Sequence, residues 1–135
     1  MGLERIAGDQ VGQAYAFEVS LIDGVYEADP SPGIRKMVEG MDQGAEVSAL
    51  AAGFHDGLAS MVVEVCKKLA QDNDTKQVTL SGGVFQNRLL ARLCRERLAG
   101  AGFLVFSADQ VPAHDGGIAY GQAAVATARL TRGGS

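Results

Sequence analysis

The C-terminal half of the chain alternates between two kinds of segment. A short β-branched run, QVTL at residues 77–80, leads to a helical stretch over about 85–99, then to a continuous apolar run, FLVF at 103–106, and then to an alanine-rich helical stretch over about 117–130. Strand, helix, strand and helix with short connections imply a parallel strand pair joined by a right-handed crossover. FLVF is bounded by glycine and polar residues, which predicts a strand buried on both faces. Leu89, Leu90, Leu93 and Leu98 mark the apolar face of the first helix, and Gly100 and Gly102 supply its stop. Two glycine pairs occupy matching places: Gly82-Gly83 follows the first strand, and Gly116-Gly117 opens the last helix. Both pairs would lie at the carboxyl edge of a parallel sheet, where open α/β folds place their ligands. Glycine admits positive φ and lets a ligand approach the backbone, while a helix N-terminus offers N–H groups to an anion. A glycine pair after a strand is equally well a plain turn. The spacing is neither a Walker A nor a GxGxxG motif, and the P-loop lysine is absent.

In the N-terminal half, Tyr15, Phe17, Val19 and Leu21 alternate ahead of Asp23-Gly24, with Val25 and Tyr26 beyond. This pattern predicts a hairpin whose turn needs positive φ. Pro30 and Pro32 break the extended run, and Pro32 suits the first turn of a short helix over GIRKMVEGM. From about Glu46 to Gln71 the positions Val47, Leu50, Phe54, Leu58, Met61, Val62, Val65 and Leu69 recur at steps of three and four, which predicts a long amphipathic helix ended by DNDTK. Gly53 and Gly57 each cost about 1 kcal/mol relative to Ala in a helix interior, so they point to close packing there.

A length of 135 residues corresponds to one domain, taken as 1–130, with 131–135 as a flexible tail. The chain is 47% hydrophobic and 21% charged, a balance that supports a packed core. The net charge of -4 argues against a nucleic-acid or anionic-membrane partner, since both reward clustered cations. Arg88, Arg92, Arg95 and Arg97 fall at helical spacing and read as a solvated helix face. MGLERIAGDQ has no apolar leader core, and no apolar run is expected to reach membrane-spanning length, so the expected location is cytoplasmic. Cys66 and Cys94 sit among apolar residues without a CxxC pattern and read as small core or half-buried residues rather than a disulfide framework.

Asp115, just before the second glycine pair, is suited to cap a helix or to ligate a divalent metal beside phosphate oxygens. His114 reads as a loop histidine and His55 as a half-buried one. Asn87 can cap backbone donors or hydrogen-bond a ribose or base. The sequence contains no nucleophile and base constellation, so catalytic residues stay unassigned.

Taken together and in order, FHDGLA, LSGGVFQNRLL, AGFLVF and VPAHDGGIAYGQAAVA closely resemble the C-terminal end of the HypF family of hydrogenase maturation carbamoyltransferases. A looser version of these motifs occurs in the related tRNA threonylcarbamoyladenosine synthesis proteins. The resemblance is strong over residues 50–127 and weaker over 13–49. It implies an α/β lobe, the C-terminal lobe of an actin-like, sugar-kinase and Hsp70-type (ribonuclease H-like) ATPase fold, preceded by the hairpin and a helical segment. It also implies carbamoyl transfer from a carbamoyl-adenylate, made from carbamoyl phosphate and ATP, to a cysteine of a HypE-type partner during nickel-iron hydrogenase maturation. The matching positions imply that Ser81, Gly82, Gly83, Asn87, Gly116 and Gly117 bind nucleotide. They also imply that Asp115 ligates a divalent metal (Mg, Zn or Fe). His55 matches a recurrent family position with no assigned role. The family's paired-histidine metal motif and zinc motifs are missing, so the expectation is half of a nucleotide and metal site, completed by the remainder of a HypF-type protein. The alternative is a non-catalytic interaction module that associates with a partner or with itself.

Overall fold

The structure, a computed structural model, describes residues 14–107. Strands β1 (Glu18–Ile22) and β2 (Val25–Asp29) pair antiparallel, with Glu18 opposite Asp29 and Ile22 opposite Val25. Asp23 and Gly24 take φ of 50° and 79°, the positive values that match a two-residue turn to strand twist, so the expected hairpin forms. Helix α1 (Ser31–Asp42) follows at once, with Pro32 in its first turn, where a missing N–H is harmless. The Asp29 carboxylate accepts a hydrogen bond of 2.8 Å from the Ser31 N–H. Hydrogen bonding from Ser31 holds the Asp29 carboxyl below its ordinary pKa.

Helix α2 (Val47–Asn73) runs for 27 residues, on the order of 40 Å, and ends on Asp74 in the left-handed conformation at φ 49°. Its glycines explain how the chain reaches it. The Tyr15 N–H donates to the Gly53 carbonyl at 3.2 Å, and Phe17 meets Phe54 edge-on with ring centroids 5.9 Å apart. A Cβ at Gly57 would overlap the Tyr15 carbonyl oxygen and stand 2.6 Å from Phe17 Cε2. Only a residue without a side chain lets the segment before β1 lie this close, as the glycine spacing predicted. Tyr26 of β2 donates to the Asp72 carboxylate at 2.7 Å, tying the hairpin to the far end of α2. That bond raises the Tyr26 pKa above its ordinary value, because the neutral phenol is the donor.

Strands β3 (Gln77–Leu80) and β4 (Leu104–Ser107) pair parallel, with Gln77 opposite Leu104 and Leu80 opposite Ser107. Between them lie a 3-10 turn (Gly83–Gln86) and helix α3 (Arg88–Gly100). The main core joins Ala59 of α2, Leu80 of β3, and Leu90, Cys94 and Leu98 of α3, with Val62, Val78 and Phe103 packed around them. Cys94 is fully buried, Cys66 is half-buried, and both are free thiols, in keeping with their reading as core or half-buried residues. Burial pushes the Cys66 thiol up, and burial with Cys66 nearby pushes the Cys94 thiol up to about 11.

Several expectations need correction. FLVF is not buried on both faces: Leu104 and Phe106 are exposed, while Phe103 and Val105 pack on the core, so the period-2 alternation of a one-sided strand operates. The helix expected from residue 85 begins at Arg88, because positive φ at Gly82 first directs the chain into the 3-10 turn. Val47 and Leu69, counted with the apolar face of α2, are exposed. Helix α2 is in fact long and apolar enough to cross a membrane by length and composition alone. Its apolar face packs against α3, the sheet and the segment before β1. The helix expected over 117–130, the residues MGLERIAGDQ and the tail 131–135 lie outside the described residues.

Candidate functional site

The loop Ser81–Asn87 leaves the carboxyl end of β3 and enters α3. Ser81 and Gly83 are exposed, and Gly82 is half-buried at φ 103° and ψ 167°, a region essentially reserved for glycine. A Cβ at Gly82 would meet nothing within 4 Å, so backbone conformation rather than crowding is what demands glycine. The loop is internally bonded: Phe85 N–H donates to the Gly82 carbonyl at 3.1 Å and Asn87 N–H to the Val84 carbonyl at 3.2 Å. Phe85 packs against the core and anchors the turn from below.

Asn87 caps α3, its Oδ1 accepting the Leu90 N–H at 2.9 Å. The other end of the same amide, Nδ2, stands 2.7 Å from Nε2 of His55. His55 is the buried polar side chain of the described core, 3% exposed, and its Nδ1 lies 2.8 Å from the Ala51 carbonyl. A carbonyl oxygen only accepts, so Nδ1 carries the proton and Nε2 presents its lone pair to the Asn87 amide. The sequence pointed to His55 and Asn87 separately, and the fold makes them one bonded pair. Their 32-residue separation left no local signal of it.

At the next residue of α2, Asp56 forms an ion pair with Arg97 of α3, whose guanidinium also donates to the Asp56 backbone carbonyl at 3.1 Å and to Ser60 Oγ at 2.5 Å. Arg97 is therefore a tie between two helices and not part of a solvated face. The i, i+4 spacing of Asp56 and Ser60 was the available clue. A groove of about 510 Å³ beside this tie, lined by Val63, Lys67 and Ala101 among others, lies away from the glycine loop.

Because Leu80 pairs with Ser107, the chain beyond Ser107 starts from the same sheet edge as Ser81. Asp115, Gly116, Gly117 and His114 belong to that continuation and lie outside the described residues. Among the described residues, no group of three His, Cys, Asp or Glu side chains is placed to hold a metal.

Residues 1–122 match the family described as the carbamoyltransferase, Kae1-like domain, second subdomain. The chain belongs to the HypF carbamoyltransferase family. Over 102 residues it is 35% identical to the carbamoyltransferase HypF of Rhodobacter capsulatus, covering 76% of this chain and 13% of that protein. It is 38% identical over 94 residues to the carbamoyltransferase HypF2 of Cupriavidus necator, covering 69% of this chain and 12% of that protein. The crystal structure of full-length HypF in its phosphate- and nucleotide-bound form superimposes with a TM-score of 0.85 at 34% identity, covering 95% of this chain and 20% of that one. The chain thus spans about an eighth of the length of these two curated HypF relatives. The α/β architecture expected from the resemblance is the one observed, and it matches the HypF fold over nearly the whole chain.

Proposed function

We propose that this chain is the C-terminal lobe of the actin-like, sugar-kinase and Hsp70-type ATPase fold in a HypF-type carbamoyltransferase of nickel-iron hydrogenase maturation. Ser81, Gly82, Gly83 and Asn87 form one wall of its nucleotide cleft. The observation that carries this reading is the loop itself: a glycine-dependent, exposed turn at the carboxyl edge of a parallel strand pair, leading straight into a helix N-terminus. That is where open α/β folds hold phosphates and nucleotides. The matching full-length HypF was crystallised in a phosphate- and nucleotide-bound form, which supports the same ligand class.

Here the Ser81 hydroxyl and the glycine backbone bind and orient the nucleotide, and the Asn87 amide holds the loop against α3. Gly116 and Gly117 extend the wall, and Asp115 contributes one ligand to a divalent metal. The remaining ligands come from the rest of a HypF-type protein, which carries the paired-histidine motif that this sequence lacks. The nucleotide held there is the carbamoyl-adenylate, made from carbamoyl phosphate and ATP elsewhere in a HypF-type protein. Its carbamoyl group passes to the sulfur of a cysteine of a HypE-type acceptor in the cytoplasm, with release of AMP and loss of the thiol proton. Isothermal titration of the chain with ATP and Mg²⁺ tests the wall directly. Binding that falls at least tenfold in Gly83→Val supports it, and wild-type affinity in that variant refutes it.

A second reading rests on the exposed α1 positions Ile34, Val38 and Met41, which recur at steps of four and three. Such a stripe favours self-association when nothing covers it. Concentration-dependent sedimentation without nucleotide affinity would select that reading.

A further inference from the structure

We infer that His55 is a positioning residue for the Ser81–Asn87 loop, a role that rests on the loop being the nucleotide wall proposed above. His55 acts by deciding which end of the Asn87 amide caps α3. The two ends of an amide are nearly equal in shape and opposite in hydrogen bonding. The Ala51 carbonyl, 2.8 Å from Nδ1, holds the ring in the Nδ1–H tautomer. Nε2 can then only accept, so Asn87 must present Nδ2 to it at 2.7 Å and turn Oδ1 to the Leu90 N–H at 2.9 Å. The reverse orientation would set Oδ1 against the Nε2 lone pair and Nδ2 against an N–H, two repulsions in place of two bonds.

The consequence reaches the glycines through the backbone. Asn87 is at once the cap of α3 and the last bonded residue of the loop, since its own N–H donates to the Val84 carbonyl and Phe85 N–H to that of Gly82. An Asn87 side chain free to rotate would release the loop's exit while Phe85 still held its base. His55 acts through the Asn87 side chain and needs no contact with a ligand. A histidine present only to fill space would require neither its Nδ1–H tautomer nor a lone pair aimed at Asn87. With the ring 3% exposed, water does not substitute for the imidazole as the Asn87 partner.

The test uses the whole chain. In long-range proton-nitrogen spectra recorded where the ring is neutral, the wild-type proton should sit on Nδ1. A ring protonated on Nε2 alone would overturn the inference at once. Amide exchange is then compared in His55→Gln, whose Oε1 can still accept from Asn87, and in His55→Leu, which has the bulk and no acceptor. Leu90 N–H should exchange about fivefold faster in His55→Leu, the usual effect of losing a cap, and within twofold of wild type in His55→Gln, with Leu98 unchanged in both. Equal loosening in the two variants, or loosening spread evenly along α3, shows that His55 only fills space and overturns the inference. If His55→Leu does not fold, the ring tautomer and the His55→Gln exchange still decide. ATP titration separates loop positioning from nucleotide binding. ATP affinity lowered about fivefold in His55→Leu alone supports both. No ATP binding by the wild-type chain, with the exchange pattern intact, removes the nucleotide reading and leaves His55 positioning the loop. Unchanged affinity and exchange in His55→Leu remove the positioning role alone.

Discussion

Gly57→Ala sets two well-measured effects against each other. In an isolated helix the substitution stabilises by about 1 kcal/mol, because alanine loses less backbone entropy than glycine. In this fold the new methyl would overlap the Tyr15 carbonyl oxygen and stand 2.6 Å from Phe17 Cε2. A ring edge can tilt, but a backbone carbonyl cannot move without its chain. The segment before β1 must therefore lift from α2. Lifting gives up the Tyr15 to Gly53 hydrogen bond, about 1 kcal/mol. It also exposes the buried Phe17 ring, about 1.5–3 kcal/mol. After the helix gain is subtracted, the net loss is about 1.5–3 kcal/mol, a drop of roughly 1 M in the urea midpoint for a small domain. Gly100→Ala is the control: a Cβ there would meet nothing within 4 Å beyond its own helix backbone and chain neighbours, and Gly100 ends α3, so the change should be neutral or stabilise by up to about 1 kcal/mol. A Gly57→Ala chain as stable as wild type would refute the close approach of residues 15–17 to α2.

The remaining predictions concern the helix tie, the loop and the buried thiol. A double-mutant cycle on Asp56→Asn and Arg97→Met should return a coupling of about 1–2 kcal/mol, above a surface pair because both partners are partly buried, and additivity would show the tie to be inert. Gly82→Ala places a Cβ in a glycine-only region and should cost about 1–3 kcal/mol locally, read as loss of amide protection at Phe85 and Asn87. Unchanged protection there would contradict the positive φ. Cys94 should resist thiol reagents at pH 8 until the chain unfolds. Its folded pKa, raised to about 11, means that the unfolded chain releases the proton first as pH rises. Stability should therefore fall by on the order of 2 kcal/mol between about pH 9 and 11, and Cys94→Ala should flatten that slope.

Where the controlling physics is local, the residues declare the structure. Asp23-Gly24 announced a hairpin because few residue pairs tolerate two successive positive φ values, and α2 was visible as a run of apolar steps of three and four. The glycine turn after β3 and the capping role open to Asn87 were legible for the same reason, since both act on their own backbone, whereas the 3-10 turn that delays α3 to Arg88 was not. What was illegible depends on how separate elements lie against each other. Arg97 looked like its solvated neighbours Arg92 and Arg95 until α3 was set beside Asp56. FLVF looked doubly buried because a continuous apolar run does not reveal which neighbours a strand has, and Leu104 and Phe106 prove exposed. His55 and Asn87 were each singled out, but the bond between them exists only through the packing of α2 on α3.

The glycine-lined start of α2 also bears on the order of assembly. Gly53 and Gly57 together weaken that half of the helix by about 2 kcal/mol against an alanine helix, and the partner that compensates is a segment more than thirty residues earlier in the chain. The unit from β3 to β4, by contrast, closes over a shorter span, with paired positions such as Gln77 and Leu104 lying 27 residues apart, and shorter spans close faster. Refolding should therefore begin with β3, α3, β4 and the C-terminal half of α2. The first turns of α2 should become rigid only when residues 15–17 dock. His55 lies in those late turns, so the loop should acquire its final shape in the last step of folding, with the N-terminal segment acting as the latch.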